Sequence, residues 1–457
     1  MRLSVYQDEI ARLYRFLIPP GARVLELGCG SGERLAALSP SYGLGIDKSA
    51  QHIGQATAKF ADRPELVFKV GDPESFDWSR ERPFDYIVAA DLIASLRDVQ
   101  QTFARLAPVC TPATRLILNF HSNLWRPVLT LATALGLRER IDAPNWLSMG
   151  DVRNLLYLAG FEVITSGGRV LLPIRLPVLA PLFNRILAKL PLLEILCLGW
   201  YVVARRFPET AAMSTSKPTV SILVPTRNER GNIEAVFTRC PQLGAWTELV
   251  FVDGHSTDGT VEEIERCRQL YRGQWQRVKL ITQTGKGKGQ AVRQGFEHCE
   301  GDILMILDSD LTMPPEELPK YYEALVTGKA EFVNGCRLVY AQEDQAMRFL
   351  NMVANHLFAQ LFTWLLGQRV KDTLCGTKVL WRRDYLRIAK NRGYFGDFDP
   401  FGDFDLLFGA AKLNLKIIDL PVRYRARTYG EIKIDRWRDG LLLLRMCIIA
   451  YRRLKLS

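Results

Sequence analysis

Two aspartates, Asp308 and Asp310, follow an apolar run in ILMILDSDL, which begins at Ile303. The run predicts a buried β-strand, and residues two positions apart in a strand point to the same side. The two carboxylates should therefore lie together at the strand's end and repel each other. A divalent cation removes this repulsion, and oxygen ligands suit Mg²⁺ or Mn²⁺, which keep positions open for substrate phosphates. The structural alternative is a cap on a helix that begins at Pro314 or Pro315.

Other segments of the same half place polar residues where they would join this pair. The run VSILVPTRNE, 220–229, is an apolar strand with a polar end, and ELVFVD is a second strand, which ends at Asp253. The loop GKGKG precedes a helical pattern, and its Lys286 and Lys288 are positioned to meet a pyrophosphate. These segments predict a site for an anionic, metal-bound ligand.

The first half contains a glycine-rich turn in RVLELGCGSGERLAAL, 23–38. An apolar strand leads into Gly28, Gly30 and Gly32, and a helix follows. Glycines at this place allow a ligand to approach the backbone at the helix N-terminus, although a tight strand-to-helix turn is the simpler explanation.

Three later strands in this half also end in polar residues. GLGID ends at Asp47, VFKVGD at Asp72 and FDYIVAAD at Asp91, and LNFH places His121 at the end of another. Parallel strands bring such ends to one edge of a sheet, so a site is expected where the strand order reverses. An acid about 20 residues beyond the glycines is placed to bind ribose hydroxyls.

The elements around these motifs indicate an α/β protein with two domains. Short β-rich runs alternate with helical patterns on both sides of PETAAMSTSKP, 208–218, which is small, polar and bracketed by prolines. The expected organisation is a first domain at 1–207, this linker, a second domain at 219–427 and a basic tail at 428–457. The nine cysteines form no CxxC pair, and the start shows no signal peptide, so a reducing cytosol is expected.

The first domain resembles the class I S-adenosylmethionine-dependent methyltransferases, whose fold is Rossmann-like. The specific element is the acid before the glycines, in ELGCGSG. The resemblance implies that Glu26 and the three glycines surround the methionine part of S-adenosylmethionine, that Asp47 binds the ribose and that Asp72 binds the adenine amino group. Asp91 or His121 would accept a proton from a hydroxyl substrate.

The second domain resembles family 2 glycosyltransferases of the GT-A fold. Several separated motifs agree, and Asp308-Ser309-Asp310 corresponds to the family's DxD motif, which binds a metal and the donor diphosphate. The resemblance implies that the nucleoside of a UDP- or GDP-hexose is held by Pro225, Thr226, Arg227, Asn228, Glu229 and Asp253.

Within that family the chain is most similar to dolichyl-phosphate mannose and glucose synthases, whose acceptor is a polyprenyl phosphate. The resemblance rests on Arg337 in VNGCRLVY, on DTLCGTKVLWRRD (372–384) and on RTYGEIKI, where Ile432 replaces a usual serine. It implies that Arg337, Arg427 and Lys433 hold the acceptor phosphate. A sugar-hydroxyl acceptor would instead need a base, for which Asp403 and Asp405 are the candidates, with a helix cap as their structural alternative.

The net charge of +11 is concentrated in the tail. Ten basic residues and three acids lie between Arg423 and Lys455, interleaved with LLLLRMCIIAY, which predicts a C-terminal amphipathic helix at an anionic membrane surface. A helix packed on the protein is the alternative. The apolar segment 171–198 is expected to form a capping hairpin, with membrane contact as its alternative. We expect no membrane-spanning helix.

Together these features predict a fusion enzyme on the cytoplasmic face of the cell membrane. Its second domain would transfer a hexose to a polyprenyl phosphate, and its first domain would be a methyltransferase. The alternatives are transfer to a sugar hydroxyl of a surface glycan with coupled O-methylation, and a first domain that only binds or dimerises. No nucleic-acid recognition module is present in the sequence. The sugar, the nucleotide, the methyl acceptor and the oligomeric state are left open.

Overall fold

The computed structural model describes residues 4–136, 145–208, 217–340, 349–395, 402, 404–425, 427, 429 and 436–456. The chain forms two compact units, one of Met1–Phe207 with Lys455–Ser457 and the other of Pro208–Leu454. Each unit is a sheet with helices, which confirms the predicted α/β fold class.

The first unit is built on a seven-stranded sheet of order β3-β2-β1-β4-β5-β7-β6. Its strands are β1 (Arg23–Leu27), β2 (Tyr42–Asp47), β3 (Leu66–Val70), β4 (Tyr86–Ala90), β5 (Arg115–His121), β6 (Phe161–Arg169) and β7 (Gly199–Arg206). Its helices are α1 (Ser4–Leu17), α2 (Glu33–Ala37), α3 (Ala50–Lys59), α4 (Val99–Ala104), α5 (Arg126–Ala134), α6 (Met149–Leu158), α7 (Leu179–Pro181) and α8 (Pro191–Glu194).

Because side chains point alternately to the two faces of a strand, this sheet has an apolar core on each face. In β1, Val24 packs into one apolar cluster, whereas Leu25 and Leu27 pack into the other. Since side chains alternate along a strand, Glu26 is directed to the same side as Val24. The strand order reverses between β1 and β4, and the loops that follow these strands lie at that point.

The second unit also has a seven-stranded sheet, of order β10-β9-β8-β11-β13-β12-β14. Its strands are β8 (Val220–Thr226), β9 (Thr247–Asp253), β10 (Val278–Thr282), β11 (Ile303–Ile306), β12 (Phe332–Cys336), β13 (Lys378–Trp381) and β14 (Ile417–Pro421). Its helices are α9 (Arg230–Arg239), α10 (Thr260–Leu270), α11 (Lys288–His298), α12 (Leu318–Val326), α13 (Phe349–Leu366), α14 (Arg382–Lys390), α15 (Phe404–Lys412) and α16 (Arg436–Ala450).

Both sheets are mixed, whereas the sequence pattern predicted parallel sheets. In the first unit β7 runs antiparallel to β5 and β6, and in the second unit β13 runs antiparallel to β11 and β12. An apolar run has the same composition in either direction, so it does not reveal strand polarity. The parallel strands carry the predicted motifs, and the reversed strands do not move them from the sheet edge.

Helix α16 packs on the second unit by one side. Leu443, Met446 and Cys447 belong to that unit's core, whereas Leu441 and Ile448 are more than half exposed. One side of this helix is therefore packed on the protein, which was the alternative to a helix at the membrane surface. Attachment of its other side to a membrane stays a prediction. Among the described helices, none has both the length and the apolarity required to cross a bilayer.

Candidate active sites

The glycine turn after β1 has the backbone that its sequence predicts. Gly28, Gly30 and Gly32 have φ values of 70°, 53° and 76°, a region that favours glycine. The carboxylate of Asp47, at the end of β2, accepts the Gly30 N–H at 2.9 Å and the Ser49 N–H at 2.9 Å. Two strand ends are thereby joined into one concave edge.

Glu26 is a buried acid with one unsatisfied oxygen. Its Oε1 accepts a hydrogen bond from Arg34 Nη1 at 2.7 Å, while its Oε2 is buried without a partner. Burial raises the pKa of Glu26 and outweighs the opposing effect of Arg34. A cationic donor, such as the amino group of S-adenosylmethionine, would satisfy this oxygen, so the residues present fit that cofactor.

Asp72 lies on the outer part of the same edge. It accepts the Glu74 N–H at 2.9 Å and pairs with Lys48 at 3.1 Å, and its side chain is 38% exposed. This exposure leaves the carboxylate accessible to a ligand on the side of β3.

Asp91 and His121 lie together at the ends of β4 and β5, with partners that the sequence did not indicate. Asp91 has a φ of 52°, and its Oδ1 accepts hydrogen bonds from the Tyr6 hydroxyl at 2.6 Å and from Asn119 Nδ2 at 2.7 Å. His121 Nδ1 is 3.8 Å from that oxygen, and the His121 ring stacks on Tyr6 at 4.8 Å. Burial, followed by the Asp91 charge, raises the pKa of Tyr6 well above its usual range. Tyr14 extends this network through a 2.7 Å bond to Asn119.

In the second unit, hydrogen bonds join the loop after β8 to the loop after β9. The Asn228 N–H donates to the Ser256 hydroxyl at 2.9 Å, and the Asn228 side chain accepts the Thr257 N–H at 2.8 Å. Asn228 has a φ of 53°, which is uncommon for a residue other than glycine. Thr226 and Glu229 beside it are buried, whereas Pro225 is partly exposed. Arg227 is exposed, as is Lys286 on the loop before α11.

Asp253, at the end of β9, has one oxygen free to bind a ligand. Its Oδ2 accepts the Ser256 N–H at 3.1 Å, and its Oδ1 is buried without a partner. A buried acceptor left unpaired costs about 1 to 3 kcal/mol. A donor on a nucleoside would remove that cost.

The predicted aspartate pair lies beyond β11, and each carboxylate meets a cation from another segment. Lys288, from the start of α11, lies 2.6 Å from Asp308 Oδ1. Arg427 Nη2 lies 2.6 Å from Asp310 Oδ2, and Arg427 Nη1 is 3.4 Å from Glu229. Between them, the Ser309 hydroxyl donates to the Pro225 carbonyl at 2.9 Å.

Each carboxylate of this pair is neutralised by a protein cation. Burial opposes ionisation of Asp308, but the adjacent Lys288 ammonium outweighs it and lowers the pKa of Asp308. Asp310 is fixed by the N–H and hydroxyl of Thr312, at 3.1 Å and 2.8 Å. The described residues contain no cluster of three or more His, Cys, Asp or Glu side chains. A metal at this place would be held by Asp308 and Asp310, with positions left for phosphate oxygens. The donor set fits Mg²⁺ or Mn²⁺.

A third loop, which contains DTLCGTK, reaches the aspartate pair. Asp372 forms two side-chain bonds with Arg337, at 2.7 Å and 2.8 Å, and accepts the N–H groups of Leu374 and Cys375 at 3.1 Å. A Cβ at Gly376 would collide with the Asp308 carboxylate and the Lys288 ammonium. The contact of Gly376 was not predicted, although its motif was noted.

The other predicted residues are distributed as follows. Asp405 is on α15, 6% exposed, and contacts Arg293 at 3.3 Å and Arg392 at 3.2 Å. Burial raises the pKa of Asp405 against both arginines. Asp403 and Lys433 lie outside the described residues.

Comparison with known proteins finds a family for each unit. Residues 2–166 match the family model described as a methyltransferase domain, and residues 221–388 match that of glycosyl transferase family 2. Over 238 residues the chain is 30% identical to the glycosyltransferase AglJ of Haloferax volcanii, which covers 52% of this chain and 72% of AglJ. It is 38% identical over 123 residues to the dolichol-phosphate mannosyltransferase of Pyrococcus furiosus, and these cover 26% of this chain and 33% of that protein.

A solved structure, the glucosyl-3-phosphoglycerate synthase of Mycobacterium tuberculosis, is 21% identical with a TM-score of 0.39 and covers 52% of this chain and 82% of that one. The fold and the family models define a two-domain transferase, in which a methyltransferase domain is fused to a glycosyltransferase domain. The chain belongs to glycosyl transferase family 2, which confirms the resemblances drawn from its sequence.

Proposed function

We propose that the second unit is a metal-dependent, inverting glycosyltransferase that moves a hexose from a UDP- or GDP-sugar to a polyprenyl phosphate. The observation that carries this proposal is the pairing of Asp308 with Lys288 and of Asp310 with Arg427 at the end of β11. Cations and carboxylates alternate there over a few ångströms, as the binding of a metal diphosphate requires. The relative from Pyrococcus furiosus, by its name a dolichol-phosphate mannosyltransferase, supports the acceptor class.

The donor would be bound across three loops. Asp253 and the Asn228 loop hold the nucleoside, and Lys286 and Lys288 approach the diphosphate. A bound Mg²⁺ or Mn²⁺ would supply Lewis-acid stabilisation of the negative charge on the departing diphosphate. Asp308 and Asp310 would hold that ion, and the absence of a side chain at Gly376 allows the third loop to approach Asp308 and Lys288 closely.

The acceptor phosphate would act as its own nucleophile. A phosphomonoester has a second pKa of about 6, so near pH 7 it is largely a dianion and needs little help from a base. One of its oxygens bonds to the anomeric carbon on the face opposite the diphosphate, as the bond from that carbon to the diphosphate oxygen breaks. Arg427, Lys433 and Arg337 would align the phosphate by charge-assisted hydrogen bonds.

The state of Asp405 supports a phosphate acceptor over a sugar hydroxyl. A hydroxyl acceptor needs a base, and Asp403 or Asp405 would have to supply it. Asp405 is instead buried and contacts two arginines.

The first unit would transfer a methyl group from S-adenosylmethionine. Glu26, the glycine turn, Asp47 and Asp72 would hold the cofactor, and Asp91 with His121 would receive the proton that an acceptor hydroxyl loses. We place the enzyme on the cytoplasmic face of the cell membrane, bound peripherally through the basic tail. Joining the two activities in one chain suggests that both act on one glycan pathway.

The glycosyltransferase assay is direct. The full chain is incubated with Mn²⁺, labelled nucleotide hexoses and undecaprenyl phosphate, and label in the organic phase is measured. We expect transfer that requires both the metal and the lipid phosphate. Label on a soluble oligosaccharide acceptor, with none on the lipid, would overturn the acceptor assignment and leave the hydroxyl alternative.

A further inference from the structure

The first unit exposes apolar side chains on one side of α5. The helical turn Asn123–Trp125 leads directly into α5, and the exposed residues recur at spacings of four, three and four. This spacing places them on one helix face. They are Leu124, Val128, Leu131 and Leu135, which are 57%, 55%, 61% and 64% exposed.

A second apolar surface is formed by residues 174–196, between β6 and β7. Val178 is 79% exposed and Leu192 is 84% exposed. The other exposed apolar residues of this segment are Ile174, Leu176, Leu179, Leu182, Ile186, Leu190, Ile195 and Leu196. Isolated exposed leucines are ordinary, but a contiguous set marks an interaction surface.

Hydrogen bonds hold this segment in place and join it to α5. Asn184 is buried and bonds the Leu172 backbone twice, at 2.8 Å and 2.9 Å. Glu194 accepts the Gly168 N–H at 2.6 Å, and the Trp125 indole N–H donates to the Leu196 carbonyl at 2.9 Å. The two apolar surfaces therefore adjoin, and we call them together the leucine face.

Basic residues outnumber acids around the leucine face. Residues 123–136 and 171–196 contain Arg126, Arg175, Arg185 and Lys189, of which Lys189 is buried, and one acid, Glu194. A cleft beside the segment is lined by Arg12, Arg169, Arg185, Lys189 and Lys455, with Glu9 as the acid. Arg175 forms an exposed pair with Asp8, at 3.3 Å, and exposed pairs contribute little energy.

We propose that the leucine face docks the first unit onto an anionic lipid bilayer. Apolar side chains that alternate with basic ones match the acyl boundary and the charged headgroups of such a surface. A second copy of the chain is a poorer occupant, because a symmetric contact would bring like charges together. The apolar residues of the leucine face belong to elements other than the basic tail, although Lys455 of the tail lines the cleft beside them.

Docking has a consequence for the methyl acceptor, and this step rests on the proposed function. His121 ends β5, and Leu124 follows three residues later, a span of at most about 11 Å. The Asp91 and His121 edge therefore opens beside the docked surface. The acceptor class that reaches it is a lipid-linked saccharide, whose hydroxyl is presented from the bilayer.

The test is flotation of the full chain with vesicles of phosphatidylcholine, with or without phosphatidylglycerol. We expect binding that requires phosphatidylglycerol and weakens about tenfold or more in Val178→Glu/Leu192→Glu, since two exposed apolar contacts become charged. Leu270→Glu, on the second unit and 58% exposed in the native chain, is the matched control and should bind normally. Equal binding by both variants would overturn the proposal.

A second measurement separates the possible occupants and does not depend on a loss of function. A polarity-sensitive fluorophore at Leu192→Cys should shift to the blue with anionic vesicles, and the same label at Leu270→Cys should not. A Val178→Glu/Leu192→Glu variant that changes only the oligomeric state would identify the face as a protein interface and refute lipid docking. Leu441→Glu/Leu444→Glu in α16 tests the tail independently. Calorimetry with S-adenosylmethionine, without lipid, tests the methyltransferase separately from docking.

Discussion

At the scale of single residues, Asp310 is the residue on which the proposed binding of metal and donor by the second unit can be tested. Its carboxylate meets Arg427 and is fixed by Thr312. Asp310→Asn keeps the shape and removes the charge, so we expect the rate of hexose transfer to fall by about 100-fold or more. The measurement is the initial rate at saturating Mn²⁺ and donor.

A control for that variant lies at the other end of the same strand. Asp302 precedes β11 and accepts hydrogen bonds from the Thr219 N–H and hydroxyl, which asparagine can also accept through its oxygen. Asp302→Asn should transfer hexose at a near-normal rate. Comparable rates for the two variants would refute the metal assignment.

Gly376 tests the close approach of the third loop. A methyl group there would collide with Asp308 and Lys288, so Gly376→Ala should lower transfer by about tenfold or more while the protein stays folded. Gly273→Ala is the matched control, because a Cβ at Gly273 meets no atom within 4 Å. The comparison uses initial rates and circular dichroism spectra, and normal transfer by Gly376→Ala would contradict the crowding.

At the scale of elements, the buried pair of Asp372 and Arg337 holds the third loop to the end of β12. Removing one partner of a buried pair costs about 3 to 5 kcal/mol. We therefore expect Asp372→Asn to lower the melting temperature of the second unit by roughly 10 °C. Calorimetry identifies that unit's transition, which under the proposed function UDP or GDP with Mn²⁺ should raise.

The same pair predicts a pH dependence. Burial raises the pKa of Asp372, but Arg337 outweighs burial, so the pKa is lowered in the folded state. The stabilisation is therefore complete above the unfolded pKa, about 3.9, and is lost as the pH falls through the lower folded value. The wild-type melting temperature should fall more steeply than that of Asp372→Asn below about pH 4. Parallel curves would show that the pair does not control stability.

The elements also show how far sequence alone could reach. The end of a strand can be predicted from the sequence because an apolar run stops there at a polar residue. For this reason the sequence could place four aspartates at sheet edges, namely Asp47, Asp91, Asp253 and Asp308. The antiparallel direction of β7 and β13 could not be predicted from the sequence, because strand direction depends on the path of the connecting chain.

Contacts between segments that are distant in the sequence could not be predicted either. Tyr6 is 85 residues from Asp91, and no local pattern distinguishes a tyrosine that bonds a site carboxylate from one that fills a core. Arg337 was expected at the acceptor phosphate. Its two hydrogen bonds to Asp372 form only when β12 and the third loop pack together. Pairings of this kind depend on tertiary packing.

At the scale of the whole molecule, the two sites belong to separate units with separate sheets. Asp47→Ala removes the acceptor of the Gly30 and Ser49 N–H groups. Hydrogen bonds to charged groups contribute about 1.5 to 3 kcal/mol, so S-adenosylmethionine affinity should fall by about tenfold or more. Hexose transfer by Asp47→Ala should stay within about twofold of wild type, because mutations at distant sites that share no partners have independent effects.

The reciprocal variant completes this argument. Asp310→Asn should lose hexose transfer and bind S-adenosylmethionine with wild-type affinity, as measured by calorimetry on the full chain. If the wild-type chain binds no S-adenosylmethionine, the first unit is a binding or dimerisation module, and the unsatisfied Glu26 oxygen has some other partner. If Asp47→Ala abolishes hexose transfer as well, the sites are coupled, and cofactor binding by one unit controls catalysis by the other.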